Sequence, residues 1–118
     1  MKTDEVVTAL AAMAQGTRLA VFRLLVQQGP TGLAAGEIAA KLDIAPATLS
    51  FHLKELNRAG LVKPRQDGRF IYYAADFAAM NELIGFLTEN CCAADCTSCG
   101  PGVIGSAKSR KLRRKERA

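Results

Sequence analysis

The chain has 118 residues, 49% of them hydrophobic, so it suits one compact domain with a core and is too apolar for a disordered chain. No apolar run approaches the roughly 20 residues of a membrane span, and the N-terminal stretch lacks the apolar core of a secretory signal. The net charge of +5 is uneven, because residues 108–117 carry seven Lys or Arg and one Glu. These features predict a cytoplasmic protein without a membrane partner, whose thiols stay reduced.

Two helices are predicted near the N-terminus from apolar residues at helical spacing. The first begins with a cap at Thr3 or Asp4 and runs to about residue 14. A second, mostly apolar helix is capped by Thr17 and ends at Gly29, which Pro30 follows. The apolar character of the second helix predicts that it is buried.

A pair of helices is predicted in the middle of the chain. A short helix covers residues 37–42, and a second helix follows a brief turn. Pro46 fits the first turn of that second helix, and Gly60 fits the position after its last turn.

A hairpin and a last helix complete the predicted elements. The Asp67-Gly68 pair predicts a hairpin turn between a strand that opens at Val62 and a strand over residues 70–73. Asp76 is expected to cap a helix that ends near residue 89. The predicted fold is therefore mostly α with a small β-hairpin, in the order of a winged helix-turn-helix.

The helix that begins near Pro46 has two different faces. At about 100° per residue, Leu49, Leu53 and Leu56 form a core stripe, and the opposite face is basic. Together with the hairpin, this basic face predicts a DNA-binding surface. Basic residues are expected to contact phosphates, and polar residues near the helix start are expected to contact bases. The candidates are Thr48 and Ser50 for base edges, Phe51 for a thymine methyl, and Lys54, Arg58, Arg65 and Arg69 for phosphates.

Two alternatives remain open for this surface. Lys54 and Arg58 can form an ordinary solvated face, and Phe51 can pack against another helix. His52, the one histidine, lies beside the leucine stripe and is expected to be half-buried and bonded to backbone or to a phosphate.

The stretch "TLSFHLKELNRAGLV" followed by "RQDGRFIYYAA" resembles the ArsR/SmtB family of metal-responsive winged-helix repressors, and "TRLAVFRLL" resembles the second helix of that family. The resemblance covers roughly residues 4–88. It implies a homodimer whose first and last helices pack across the two-fold axis. It also implies binding to an imperfectly palindromic operator in double-stranded DNA, release by an inducer, and a place for Ser50 and His52 on the DNA-contacting helix.

All the cysteines lie close together in "ENCCAADCTSCGPG", and they are Cys91, Cys92, Cys96 and Cys99. In a reducing compartment, such a cluster favours a metal, metalloid or redox role over a structural disulfide. The short helix "GEIAAKLD" lacks the cysteine pair of one arsenic-sensing branch of the family, and "DFAAMNELIGFLTEN" lacks the histidine of its zinc sensors. The "ENCC" stretch is similar to a vicinal pair in some arsenic-responsive members.

Arsenite is the expected inducer, because As(III) is soft, binds three thiolates and needs neither a fourth ligand nor an imidazole. Antimonite and methylarsenite are close relatives, and either Cys96 or Cys99 is the third ligand. Zinc, cadmium or lead remains open, since Cys96-x-x-Cys99 is a common half-site for zinc. A thiol-redox switch and a cytosolic thiol-rich metal-binding protein also remain open.

The predicted organisation has three parts and no catalytic one. Residues 1–90 form the DNA-binding and dimerisation domain, residues 91–107 the cysteine-rich inducer-binding segment, and residues 108–118 a basic, disordered tail. The sequence shows no phosphate loop and no general-base constellation, so an enzyme is not expected.

Overall fold

The computed structural model describes residues 1–92. Its elements are α1 (Thr3–Met13), α2 (Gly16–Gln28), β1 (Leu33–Ala34), α3 (Ala35–Leu42), α4 (Pro46–Arg58), β2 (Val62–Asp67), β3 (Phe70–Ala75) and α5 (Phe77–Leu87). The predicted fold, mostly α with a small hairpin, is confirmed. The chain divides into a compact unit, Met1–Met80, and a second unit that begins at Asn81 within α5. The boundaries predicted at residues 90 and 107 stay predictions.

The sheet contains one strand more than the predicted hairpin. Its order is β1-β3-β2, with both neighbours antiparallel to the central strand β3. Tyr73 of β3 pairs with Leu33 on one side and with Pro64 on the other. Pro64 is tolerated because β2 is an edge strand, where a missing backbone donor costs no ladder bond. The hairpin turn is formed by Gly68 and Arg69 rather than by Asp67 and Gly68, because Asp67 still pairs with Phe70.

Gly32 permits the sharp entry into β1. Its φ is +75°, and a Cβ at this position would collide with the backbone carbonyl of Tyr73. Only glycine adopts such a conformation without strain, and here it also lets two backbones approach closely.

The core of the first unit lies around α2 and the inner face of α4. Val21, Phe22 and Leu25 of α2 are buried, as the apolar pattern predicted, whereas Leu19 is 43% exposed. The remaining buried apolar residues of this unit are Val6, Ala9, Leu33, Ile38, Ala39, Leu49, Leu53, Leu56, Leu61, Val62 and Ala75. Each large aliphatic side chain among them contributes on the order of 1.5–3 kcal/mol to folding.

The helix caps differ in part from those predicted. At the start of α1, the Lys2 N–H donates to a Glu5 carboxylate oxygen at 2.8 Å, so neither Thr3 nor Asp4 is the cap. At α2 the cap is Gln15 rather than Thr17. The predicted cap of α5 is confirmed, because Asp76 Oδ1 accepts from the Ala79 N–H at 3.0 Å.

Within residues 1–92, no single helix is long and apolar enough to cross a membrane. Helices α1 and α2 reach that length and composition only as a pair, bent by 103°.

Candidate nucleic-acid interface and cysteine pair

The turn between α3 and α4 sets the direction of α4. Helix α3 is followed by its C-cap, Asp43, whose φ of 53° places it in the left-handed region and reverses the chain. The Ile44 N–H donates to the Ala39 carbonyl at 3.0 Å, which closes the end of α3. Pro46 then occupies the first turn of α4, where its missing N–H leaves no unsatisfied donor. This short, closed turn gives the two helices the arrangement of a helix-turn-helix.

The inner face of α4 is the leucine stripe predicted from its periodicity. Leu49, Leu53 and Leu56 are all buried. The opposite face is exposed, and it carries Thr48, Ser50, Phe51, Lys54 and Arg58. Phe51 is 56% exposed, so among the described residues it has no helix packed over its ring. The rotation of α4 therefore follows the prediction, while DNA contact by these side chains stays a prediction.

Arg58 reaches solvent at the end of this exposed face. Its Nη2 lies 3.2 Å from Glu55 Oε2, one helical turn earlier, and its side chain is 69% exposed. Exposed pairs of this kind contribute about 0–1 kcal/mol. A DNA phosphate can therefore replace Glu55 at small cost.

The hairpin β2–β3, which we call the wing (Val62–Ala75), carries the other basic candidates. Lys63 and Arg69 are exposed, and Arg69 lies in the turn. Arg65 is exposed as well, but contacts hold its side chain in place: its Nη2 donates to the Thr31 carbonyl at 3.0 Å, and its guanidinium lies 5.0 Å from the Tyr72 ring centroid. Its Nη1 is also 3.7 Å from Asp67. These contacts orient Arg65. To contact a phosphate as predicted, its guanidinium must either give up these partners or bind the phosphate in addition to them.

An open cleft of about 470 Å³ separates α4 from the wing. Its lining is Ser50, Phe51, Leu53, Lys54, Asn57, Pro64 and Tyr73. Asn57 and Tyr73 were missed by sequence reasoning. The spacing of Asn57 three residues after Lys54 was a signal for the first, whereas Tyr73 reaches the cleft only through the packing of the wing. The cleft brings neutral donors beside a cation, a combination suited to a phosphate oxygen.

His52 lies on the buried side of α4, as the helical wheel predicted, and is 8% exposed. Its ring contacts a side chain rather than the backbone: Arg18 Nη1 of α2 lies 3.3 Å from His52 Nδ1. Burial first, and then the charge of Arg18, hold the pKa of His52 below its ordinary value of 6.5. The predicted DNA contact of His52 is not tested by this placement, but the ring points away from the exposed face.

The first two cysteines lie on a turn after α5. The Cys91 N–H donates to the Thr88 carbonyl at 2.8 Å, and both Asn90 and Cys92 have positive φ. The sulfur atoms of Cys91 and Cys92 are 3.4 Å apart, too far for a disulfide bond between these two residues. Cys92 itself is disulfide-bonded. Ions with metal–sulfur bonds of about 2.3 Å can bridge two sulfurs at such a distance. Within residues 1–92, no three His, Cys, Asp or Glu side chains are grouped to hold a metal, and Cys96 and Cys99 lie outside that range.

Comparison with known proteins places these features in a family. A profile described as a helix-turn-helix domain matches residues 13–65. The nodulation protein NolR of Rhizobium meliloti is 34% identical over 80 residues, which are 68% of this chain and 63% of NolR, a little under two thirds. The transcriptional activator HlyU of Vibrio cholerae is 30% identical over 75% of this chain and 80% of HlyU.

Solved structures give the same answer. The homodimeric winged helix-turn-helix domain of a possible ArsR-family regulator from Mycobacterium bovis is 31% identical, covers 74% of this chain and 81% of its own, and has a TM-score of 0.59. Reduced HlyU from Vibrio cholerae is 31% identical over 72% of this chain and 90% of its own, with a TM-score of 0.55. A possible transcriptional regulator for arsenical resistance is 34% identical over 67% and 79%, with a TM-score of 0.57.

The winged helix-turn-helix geometry and these relatives agree. The chain belongs to the ArsR/SmtB family of winged-helix transcriptional regulators.

Proposed function

We propose that this chain is a homodimeric repressor that binds operator DNA through α4 and the wing and is released by As(III) bound at its cysteines. The observation that carries the inducer assignment is the sulfur pair of Cys91 and Cys92, 3.4 Å apart on the turn after α5. Once Cys92 is reduced, the two adjacent thiolates on this turn can supply two of the three ligands that As(III) takes.

The DNA half of the proposal is supported by exposed cations on two neighbouring elements. Lys54 and Arg58 on α4 and Lys63 and Arg69 on the wing all reach solvent. The buried leucine stripe holds the opposite face of α4, so these cations are presented from a rigid support. A helix of this kind fits the major groove, with the wing following the neighbouring backbone.

The homodimer is supported by apolar side chains that the described chain leaves exposed. On α1, Val7 and Leu10 are 59% and 41% exposed. On α5, Ile84 and Leu87 are exposed as well. These are the helices that pack across the two-fold axis in the family, and one solved relative is homodimeric. A dimer also places two copies of α4 on the two half-sites of a palindrome.

The proposed site needs a third thiolate, for which Cys96 and Cys99 are the two candidates. Both lie outside the described residues, so which of them binds stays a prediction. Cys92 must be reduced before it can bind, because a disulfide sulfur is not a thiolate ligand. Release then requires that As(III) bind the DNA-free conformation more tightly, by a coupling of about 1–3 kcal/mol or more.

Titration of the operator complex tests the proposal. Fully reduced protein on a fluorescent operator fragment is titrated with arsenite, antimonite, zinc and cadmium, with a phosphine as reductant because dithiols capture As(III). Arsenite and antimonite should release the DNA at lower concentration than either divalent metal. Release by zinc or cadmium alone would overturn the arsenite assignment, and absence of operator binding would overturn the repressor.

The third ligand can be assigned with cysteine variants. Cys96→Ser and Cys99→Ser should each keep a partial response, because loops this short differ in closure free energy by well under ~1 kcal/mol. The double variant should respond poorly to arsenite and still respond to methylarsenite, which uses only two thiolates. A double variant that responds to arsenite like the wild type would refute the three-thiolate site.

A second candidate is a repressor that responds to thiol oxidation. It is favoured by the disulfide bond of Cys92 and by the likeness to HlyU, a relative whose structure was solved in a reduced form. Diamide, which oxidises thiol pairs, separates it from the first candidate. Release by diamide without release by arsenite would establish the redox reading, and the reverse would exclude it.

A further inference from the structure

The side chain of Arg18 connects three helices. In the first turn of α2, its Nε donates to the Ala12 carbonyl in the last turn of α1 at 2.6 Å. Its Nη1 lies 3.3 Å from His52 Nδ1 on the inner side of α4. Its own backbone N–H donates to Gln15 Oε1 at 2.8 Å, which fixes the turn between α1 and α2. One partly buried guanidinium therefore joins the end of α1 to the middle of the recognition helix.

The chemistry of the contact defines the state of His52. A guanidinium has donors and no acceptor, so Nδ1 must be the acceptor and carry no proton. The contact therefore requires the neutral ring with its proton on Nε2. A protonated His52 would present an N–H to Arg18 and place two positive charges side by side in a buried position.

Arg18 is the charged group that faces this ring. The ionisable side chains of the other elements packed on α4 are exposed, namely Asp4 and Glu5 of α1, Glu37 and Lys41 of α3, Arg23 of α2, and Lys63, Arg65 and Asp67 of β2. On α4 itself, Lys54 and Arg58 are exposed and Glu55 pairs with Arg58. No carboxylate contact to the ring is present in the described chain to stabilise a protonated His52.

We propose that Arg18 is a positioning residue that holds the recognition helix through His52, and that acid weakens operator binding by breaking this contact. The proposal rests on the proposed operator binding and adds its regulation by pH. It gives the one histidine of the chain a role on the inner face of α4, distinct from direct DNA contact.

The sign of the effect follows from the lowered pKa of His52. The contact is fully present above the ordinary histidine value of 6.5 and is lost as the pH falls through the lower value of the folded state. Operator affinity should therefore fall on acidification. Added positive charge alone would act in the opposite direction, since it strengthens the attraction to phosphates.

Operator affinity of the full chain at pH 7.5 and pH 5.5, at fixed salt, tests the proposal. The wild type should lose about threefold to tenfold in affinity at the lower pH, because protonation of His52 removes the acceptor for Arg18. His52→Asn keeps an acceptor near the Nδ1 position and cannot be protonated, so its profile should be flat. Arg18→Met should weaken binding at pH 7.5 and flatten the profile, while Arg23→Met, on the exposed side of α2, should keep the wild-type profile.

Nuclear magnetic resonance gives a second readout that does not need DNA. Because the chain has one histidine, its ring signal titrates without overlap. Arg18→Met should raise the pKa of His52 and Arg23→Met should not. The inference would be overturned if the wild-type operator affinity did not fall with acid. It would also be overturned if the pKa of His52 were the same in Arg18→Met as in the wild type. Failure of all variants and the wild type to bind the operator at either pH would overturn the proposed function, and the inference with it.

Discussion

The DNA-binding face and the cysteine pair are built in opposite ways. The face combines α4 with the wing, and its direction depends on burial of Leu49 and Leu53 on the far side of the helix. Cys91 and Cys92 are sequence neighbours, and one turn brings their sulfurs to 3.4 Å. DNA binding by the first region should therefore change with any substitution that alters the orientation of α4. Inducer binding by the second should depend mainly on the chemistry of the two sulfur atoms. Substitutions that separate these two dependences test the contrast.

The largest effect is expected at the cysteine pair. Cys91→Ser or Cys92→Ser should abolish release by arsenite and leave operator affinity near normal, because a serine hydroxyl is a hard, weak ligand for a soft ion. Anisotropy titration of the operator complex measures both quantities. Glu89→Gln, an exposed change two residues before Cys91, is the matched control and should respond like the wild type. Release of the operator from either serine variant at wild-type arsenite concentrations would show that the inducer site lies elsewhere.

The next effect is expected on the DNA face. Lys54→Ala, Arg58→Ala and Arg69→Ala should each weaken binding to all sequences and lower the salt slope by about one unit. The triple variant should lose about three units, and Lys41→Ala on α3 is the control for the charge change of each single variant. Substitution of Thr48 or Ser50 should instead change sequence preference. Unchanged operator affinity in the triple variant would exclude this face.

A smaller effect is expected at Gly32, the residue before β1, the strand that pairs with β3 of the wing. Gly32→Ala should lower the free energy of unfolding by about 1–3 kcal/mol, because it combines a positive φ with a clash against the Tyr73 carbonyl. Gly36→Ala, where an added Cβ meets no atom, should be neutral or stabilising by up to about 1 kcal/mol. Urea denaturation followed by circular dichroism compares the two. Equal stability of both variants would mean that β1 does not constrain the wing.

The smallest effect is expected at the basic tail. Residues 108–117 lie outside the described residues, and their composition predicts a solvated segment. Truncation after Ser106 should leave the arsenite response intact and reduce only nonspecific DNA affinity at low salt. A truncated protein that no longer responds to arsenite would show that the tail belongs to the sensing region.

Local pattern predicted most of the elements and failed at contacts between distant segments. The periodicity of α4 gave the correct buried stripe, and Asp76 was recognised as a cap because its partner is three residues away. Strand β1 was missed, since two residues carry no periodicity and their pairing with β3 joins Leu33 to Tyr73. The caps of α1 and α2 were misplaced by one or two residues because Glu5 and Gln15 compete with the stronger cap formers Thr3 and Thr17.

The candidate site divides along the same line. The exposed positions of α4 and the clustering of cysteines could be read from spacing alone. Spacing could not predict that Arg65 contacts Thr31 and Tyr72, or that Tyr73 lines the cleft. These relations depend on how separate elements pack together.

The sequence by itself determined the helix-turn-helix, the basic face of α4 and the vicinal cysteines, because helical periodicity, turn residues and neighbouring thiols are local properties. Tertiary structure alone decided that His52 faces Arg18, that Gly32 passes under a β3 carbonyl and that Arg65 donates to the Thr31 carbonyl. Those relations depend on which elements pack together. Packing is set by the burial of the whole apolar surface, which no single stretch of sequence specifies.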